Sequence, residues 1–212
     1  MVTRELTGDV LRARAARIRL VLTDCDGVLT DAGVYYSARG EELKRFSMRD
    51  GMGIERLRTV AGIPVGILTK ERSGIVAARA RALHVHELHG GVVDKLRRAE
   101  GIARSHGLTL DRIAFIGDDV NDLALLRAAG LSACPADAEP VITGAVHHVC
   151  ARAGGHGAFR EFAELILDAQ AVPGIVPHAE PTEVPCEDPI AASRSSPRSA
   201  SITMARSISP SS

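Results

Sequence analysis

The feature that most restricts the fold is an alternation of short apolar runs with longer amphipathic stretches, beginning at about residue 18. Ile18-Arg19-Leu20-Val21-Leu22-Thr23, Pro64-Val65-Gly66-Ile67-Leu68, Arg112-Ile113-Ala114-Phe115-Ile116 and Leu131-Ser132-Ala133-Cys134 are near-continuous apolar segments. Strands of a parallel sheet, covered on both faces, have this character. Residues 54–60, 73–83, 93–105, 122–129 and 159–169 between and after them carry helical spacing. Gly62, Gly107 and Gly130 stand where C-caps belong. A shorter run over 146–150 extends the sheet. The pattern predicts an α/β, doubly wound fold. Open sheets of that kind bind ligands outside the carboxyl ends of their strands, so the residues just after each run are the ones to inspect for chemistry.

Two segments depart from this rhythm. Over 33–46, the stretches VYYS and EELKRF flank Ala38-Arg39-Gly40, which reads as a β-hairpin flap standing over the carboxyl end of the sheet. Residues 172–212 are rich in Pro, Ser, Ala and Glu without apolar periodicity, and read as a disordered tail. The expected organisation is therefore a lead-in over 1–17, one domain over 18–171, and the tail. Lys+Arg and Asp+Glu number 26 each, so no bulk charge attracts nucleic acid or an anionic membrane. Trp is absent and aromatic residues make up 3%, which also argues against base-stacking surfaces. No stretch reaches the roughly 20 apolar residues of a membrane span, and the first 20 residues lack an apolar signal core. Cys25, Cys134, Cys150 and Cys186 show no CxxC spacing and read as reduced thiols of a soluble cytoplasmic protein.

Asp24-Cys25-Asp26-Gly27 closes the first apolar run. Two carboxylates buried in an apolar sheet would cost several kcal/mol each, of order, so they belong at its open end, sharing a cation such as Mg²⁺. One carboxylate held in that way can attack phosphorus while the other protonates the departing alkoxide. The bland alternative is a turn in which Asp26-Gly27 merely ends a strand. Gly117-Asp118-Asp119-Val120-Asn121-Asp122 follows the run ending at Ile116. It places Asp118 as a further metal ligand, with Asn121 and Asp122 opening the next helix; a plain N-cap cluster is the alternative. Thr69 ends another run and Lys95 opens a helix after Gly90-Gly91. A hydroxyl and an ammonium there can hold a phosphoryl group, whereas singly each reads as a cap or a solvated side chain. It is the joint order, DxD, Thr, Lys, GDDxND, that favours chemistry.

This constellation, over about 18–169, resembles the haloacid dehalogenase superfamily. The resemblance implies a doubly wound Rossmann-like parallel sheet and an Mg²⁺-dependent phosphatase. Asp24 would be the nucleophile that forms an aspartyl-phosphate and Asp26 the general acid, then base. Thr69 and Lys95 would bind phosphate. The Asp24 carboxylate, the Asp26 backbone carbonyl and Asp118 would hold the metal, with Asn121 and Asp122 in support and Asp122 orienting Lys95 or a metal-bound water.

Neither gap between motifs has room for a cap domain. The flap, the Ser47-Met48-Arg49-Asp50-Gly51-Met52-Gly53 stretch and the Arg152-to-Glu161 segment are similar to the capless 3-deoxy-D-manno-octulosonate 8-phosphate phosphatases, which implies a homotetramer in which a neighbour closes each site. After Thr69, however, Lys70-Glu71-Arg72-Ser73 stands where that branch carries Gly-Arg. Together with Gly91-Val92-Val93-Asp94-Lys95, this resembles the sister 2-keto-3-deoxynonulosonate 9-phosphate phosphatases, although a Lys those enzymes carry is Ala82 here. The substrate implied is a 2-keto-3-deoxy sugar-acid phosphate of either kind. Glu71 and Arg72 would face the sugar, and Arg160 or Arg152 would reach a neighbouring subunit's site to bind its carboxylate. A signalling receiver domain is disfavoured by the order of motifs, and a phosphotransferase by the lack of a cap. A regulatory or scaffold domain of a sugar-acid nucleotide synthase is disfavoured by the intact Asp24 and Asp26. Along a strand edge, alternation would send His84 and His86 to one face and His89 to the other, His147-His148 shows no partnering pattern, and His156 lies in a Gly-rich turn.

Overall fold

The computed structural model describes residues 8–170. Residues 1–7 and the segment 172–212, read above as a tail, lie outside the described residues. In chain order the elements are α1 (Gly8–Ala15), β1 (Leu20–Thr23), β2 (Thr30–Ser37), β3 (Gly40–Phe46), α2 (Met48–Ala61), β4 (Val65–Thr69), α3 (Gly74–Ala82), β5 (Glu87–Gly90), α4 (Lys95–Ser105), β6 (Ile113–Ile116), α5 (Leu123–Ala128), β7 (Leu131–Cys134), α6 (Pro140–Thr143), β8 (His148–Val149) and α7 (Ala158–Gln170).

Six strands form one parallel sheet in the order β5-β4-β1-β6-β7-β8. The α/β doubly wound expectation holds, and its physical basis is visible strand by strand. In β1, Val21 joins a core with α2, α3 and α7, while Leu20 and Leu22 join a second core with α4, α5 and α6. Ala114 and Ile116 against Ile113 and Phe115 divide β6 in the same way. Period-two side-chain alternation thus feeds two apolar layers, which is why the runs are apolar at every position. No helix among the described residues is long and apolar enough to cross a membrane.

β2 and β3 pair antiparallel as the expected hairpin. Ser47 caps α2 by accepting from the N–H groups of Arg49 and Asp50, so that helix starts six residues before its apolar spacing becomes evident. Gly62 and Gly107 follow their helices with left-handed φ of 64° and 66°, as C-caps do. Gly130 is different. Ala129 ends α5 in an extended conformation, and Gly130 is small because a Cβ there would lie 2.1 Å from the Asp111 carbonyl oxygen. Residues 8–15, read as part of a lead-in, form a helix that packs on α7 and buries Ala15 completely; the interspersed arginines hide its single apolar stripe. His84 is not on a strand edge at all. Its φ of 54° places it in the turn before β5, which starts at Glu87.

Candidate active site

β1 delivers Asp24 to the carboxyl end of the sheet, where its N–H still donates to the Ile116 carbonyl at 3.0 Å. The chain then turns back, the Cys25 carbonyl accepting from Leu29 and Thr30 N–H at 2.9 and 3.1 Å. Asp24 Oδ1 accepts from the Cys25 N–H at 2.7 Å, and Oδ2 lies 2.7 Å from Lys95 Nζ. Lys95 is the first residue of α4, with a side chain 1% exposed, and its ammonium also lies 2.6 Å from Asp122 Oδ1. The other oxygen of Asp122 accepts from the Asp118 N–H at 3.1 Å. Three of the four motifs, those of Asp24, Lys95 and Asp118/Asp122, are therefore linked through one buried Asp24–Lys95–Asp122 chain.

Burial pushes the Asp24 carboxyl up to about 8, with the Asp122 charge adding to the rise and Lys95 opposing it. Burial and then Asp122 push Asp118 up to about 7. For Lys95, burial acts to lower the ammonium, but the Asp24 and Asp122 charges outweigh it and the group ends above its ordinary value. Two raised carboxyls beside a raised ammonium, all in one buried cluster, mark a candidate functional site.

Asp24, Asp118 and Asp122 can each turn one oxygen to within 4.8 Å of the others. Asp118 Oδ1 is enclosed and has no hydrogen-bond partner. An orphaned carboxylate oxygen beside two others is a donor set that fits a hard dication such as Mg²⁺. The space is kept open by Gly27, whose φ is 80° and whose Cβ, if present, would fall 2.0 Å from Asp118 Oδ2. Asp122 thus joins Asp24 and Asp118 as a possible ligand, a role the sequence assigned only to support. The Asp26 carboxylate turns elsewhere, which leaves its backbone for the metal role that the resemblance implied.

Asp26 Oδ1 accepts from Lys44 Nζ at 2.5 Å, and its Oδ2 is enclosed without a partner. Lys44 comes from β3 of the hairpin, and its side chain is 1% exposed and 3.5 Å from Glu41. Glu41 in turn accepts from the Ser73 hydroxyl. The hairpin is therefore bonded to both the DxD turn and the start of α3. Lys44 was missed in the sequence. Its one signal is inverted alternation, since Leu43 beside it is 63% exposed.

Thr69 ends β4, is 2% exposed, and its hydroxyl accepts from the Glu71 N–H at 3.2 Å. Thr69, Glu71, Arg72, Ser73 and Gly74 line a cavity of about 380 Å³, so Glu71 and Arg72 flank Thr69. Arg72 lies over Gly91, where a Cβ would come within 2.6 Å of its Nε. Asn121 is exposed on the short 3₁₀ turn before α5. Arg160 is not brought to this cavity. It pairs with Glu164 at 2.6 Å on α7 and lines, with Arg49 and Arg152, a separate cavity of about 810 Å³. That larger cavity lacks Asp24, Thr69 and Lys95, so size is a poor guide to the chemistry.

A parallel doubly wound sheet with strand-end carboxylates, a buried lysine and a hydroxyl on the neighbouring strand defines a haloacid dehalogenase-like hydrolase, and the model of that family matches residues 76–161. The 3-deoxy-D-manno-octulosonate 8-phosphate phosphatase of Yersinia pestis is 41% identical over 162 residues, 76% of this chain and 86% of that protein. The enzyme of the same name from Escherichia coli K12 is 37% identical over 165 residues, 78% and 87% of the two chains. The chain belongs to the 3-deoxy-D-manno-octulosonate 8-phosphate phosphatase family. The crystal structure of the Yersinia pestis enzyme matches with a TM-score of 0.74 at 40% identity, covering 76% of this chain and 87% of that one. The Moraxella catarrhalis enzyme, in complex with magnesium, phosphate and 3-deoxy-D-manno-octulosonate, matches with a TM-score of 0.75 at 33% identity, covering 78% and 94%.

Proposed function

We propose that this protein is a phosphoric monoester hydrolase that removes phosphate from 3-deoxy-D-manno-octulosonate 8-phosphate through an aspartyl-phosphate on Asp24. The observation that carries the reading is the placement of Lys95 Nζ 2.7 Å from Asp24 and 2.6 Å from Asp122, with three carboxylates convergent beside it. The names of the relatives, at 37–41% identity over most of their length, favour the octulosonate substrate over the nonulosonate.

Asp24 attacks phosphorus through Oδ2 as Lys95, 2.7 Å from that oxygen, turns its ammonium to the phosphoryl group, while Oδ1 stays held by the Cys25 N–H. Lys95 and the Thr69 hydroxyl hold the non-transferring oxygens, so that charge is met where it develops. Asp26 protonates the leaving oxygen and later takes a proton from the attacking water, through the oxygen Lys44 leaves free. Asp24, Asp118 and the Asp26 backbone would hold Mg²⁺, with Asp122 close enough to contribute. The ion supplies charge neutralisation between nucleophile and phosphate. Glu71 and Arg72, lining the cavity beside Thr69, contact the sugar acid. Arg160 lies away from its own chain's phosphate site and serves a neighbouring subunit's substrate in a homotetramer. Tyr35, Tyr36, Leu43 and Met48, all more than 60% exposed on the hairpin and the start of α2, supply apolar surface for that assembly. A reducing cytoplasmic setting agrees with free buried Cys25, Cys134 and Cys150.

The test is Mg²⁺-dependent phosphate release from octulosonate 8-phosphate and nonulosonate 9-phosphate side by side, with Asp24→Asn as the blank. A kcat/KM favouring the octulosonate supports the assignment. Preference for the nonulosonate would move the substrate and make Glu71 its marker, and no release from either would remove the substrate class.

A further inference from the structure

A second cluster of metal-ligating side chains lies outside the phosphate site. His148 on β8 and Cys150 two residues on share the face of that strand turned to α7, because side chains alternate along a strand, and Cys150 stays in register through its N–H to the Cys134 carbonyl at 2.8 Å. Glu161, in the first turn of α7, projects onto the same spot. One ligand atom from each of the three can be found within 4.8 Å of the others. His148 Nε2 is enclosed without a hydrogen-bond partner, and the nearest oxygen of Glu161 stands 3.6 Å from it. That separation is close to the edge of a tetrahedron drawn about an ion with bonds of roughly 2.0–2.1 Å to nitrogen and oxygen.

We propose that His148, Cys150 and Glu161 form a second metal site, selective for Zn²⁺ over Mg²⁺. A thiolate and an imidazole are soft and borderline donors that Mg²⁺ disfavours, whereas Asp24, Asp118 and Asp122 offer oxygen alone. Three protein ligands leave the fourth position to solvent, and His148 and Glu161 both line the 810 Å³ cavity through which an ion enters. Arg12, Arg49, Arg152 and Arg160 line it too, opposed by Glu161, Glu164 and Asp168. On binding, the Cys150 thiol gives its proton to solvent as the sulfur–zinc bond forms, and its weak hydrogen bond to the Ala158 carbonyl at 3.5 Å is lost. Burial holds the thiol well above its ordinary value, so the free protein carries it protonated. Glu161 need not release its existing partners, the N–H groups of Ala151 and Arg152, since each oxygen retains a lone pair. The ion would therefore sit at the root of the loop over residues 151–157.

The experiment titrates the full-length protein with Zn²⁺ against a chromophoric chelator, with Mg²⁺ in large excess throughout, and repeats the titration with Co²⁺ to read thiolate-to-cobalt absorption. The expected result is one Zn²⁺ per chain that Mg²⁺ does not displace, a thiolate band with Co²⁺, and a raised melting temperature on Zn²⁺ addition. Cys150→Ser should lose the band and bind Zn²⁺ more than about tenfold more weakly, and His148→Gln should lose at least about tenfold in affinity. Cys25, Cys134 and Cys186 remain in the first variant, so disappearance of the band assigns it to Cys150. Absence of the band in the parent protein, its survival in Cys150→Ser, or unchanged affinity in both variants would overturn the proposal. Melting in chelator verifies that each variant is folded, and His148→Gln, at a partly exposed position, gives the readout should Cys150→Ser fail to fold.

Discussion

Replacing Lys95 by Met removes the ammonium that Asp24 and Asp122 share and leaves the volume nearly filled. Burial pushes the Asp24 carboxyl up to about 8, so it is the member of the pair that gives up its charge more readily. Asp122, with a fully buried side chain, is then the charge that loses its cation. It must either stay charged in an apolar surround, which for a broken buried pair costs about 3–5 kcal/mol, or take up a proton. Protonating a carboxylate at pH 7 against an ordinary value near ~3.9 costs about 1.4 kcal/mol per pH unit, about 4 kcal/mol in all. The two routes agree, so the expected loss is about 3–4 kcal/mol at pH 7. The sign of its pH dependence follows from the proton count. By the proton-uptake route the folded variant holds a proton that the unfolded chain releases above ~4, so the deficit grows with pH and shrinks to about 1.5 kcal/mol at pH 5, whereas by the charged route it stays level. Urea unfolding of parent and variant in chelator, at pH 5, 6 and 7, reads this directly. A deficit under about 1 kcal/mol at every pH in that range would refute the charge argument.

Gly27→Ala should cost about 1–2 kcal/mol for its left-handed φ and, because its Cβ would lie 2.0 Å from Asp118 Oδ2, displace that carboxylate by about an ångström and lower kcat/KM by roughly 10²-fold; a steady-state assay with activity near parent would contradict this. Lys44→Met should lower kcat more than it raises KM, since it frees Asp26 from its 2.5 Å partner without touching Thr69 or Lys95, and an unchanged kcat would show that Asp26 is positioned by other means. Asp24 and Asp118 lie at about 8 and 7 without metal, so protons compete with Mg²⁺ below those values. Apparent Mg²⁺ affinity should climb between pH 6 and 8 with net proton release, and calorimetry in buffers of different ionisation enthalpy that finds no released proton would count against the raised carboxyls.

Much of this was legible because buried parallel strands are apolar at every position and because the chemistry falls at their ends. β1, β4, β6 and β7, with Asp24, Asp26, Thr69 and Asp118 after them, follow from those two regularities, while the hairpin follows from its Gly-containing turn and Lys95 from its place in the joint order of motifs. β5 was anticipated only as a strand edge across His84 to His89, too early in the chain, since Glu87–Gly90 is only partly buried at the sheet edge and Glu87 and His89 are too polar to resemble a covered strand. Lys44 escaped because a hairpin that stands over a site inverts the usual rule, turning its charge inward and Leu43 outward. The exposure of Asn121 was hidden for the opposite reason. A 3₁₀ turn of three residues rotates Asp122 inward and leaves Asn121 outside, a distinction that spacing suited to a regular helix does not make. His148, Cys150 and Glu161 are brought together only by the packing of β8 under α7, and two histidines in succession give no hint of it.

The loop over residues 151–157 also orders events in time. Gly154 lies so close to the Gly27 carbonyl that a Cβ would come within 1.9 Å of the oxygen, and the Gly155 N–H donates to Val28 at 2.9 Å. β1, made early, pairs with β4 and with β6 some ninety residues later, so the first motif waits for chain not yet synthesised. A nascent chain that has emerged as far as Asp122 already carries every side chain that would handle phosphate, but not the loop that buttresses the turn behind Asp24 and Asp26. Contacts this distant are slow to close because the entropy of a long loop must be overcome before they form. The buttress of the turn that carries Asp24 and Asp26 is therefore completed late in the making of this molecule, once the loop over residues 151–157 has been synthesised and has reached it.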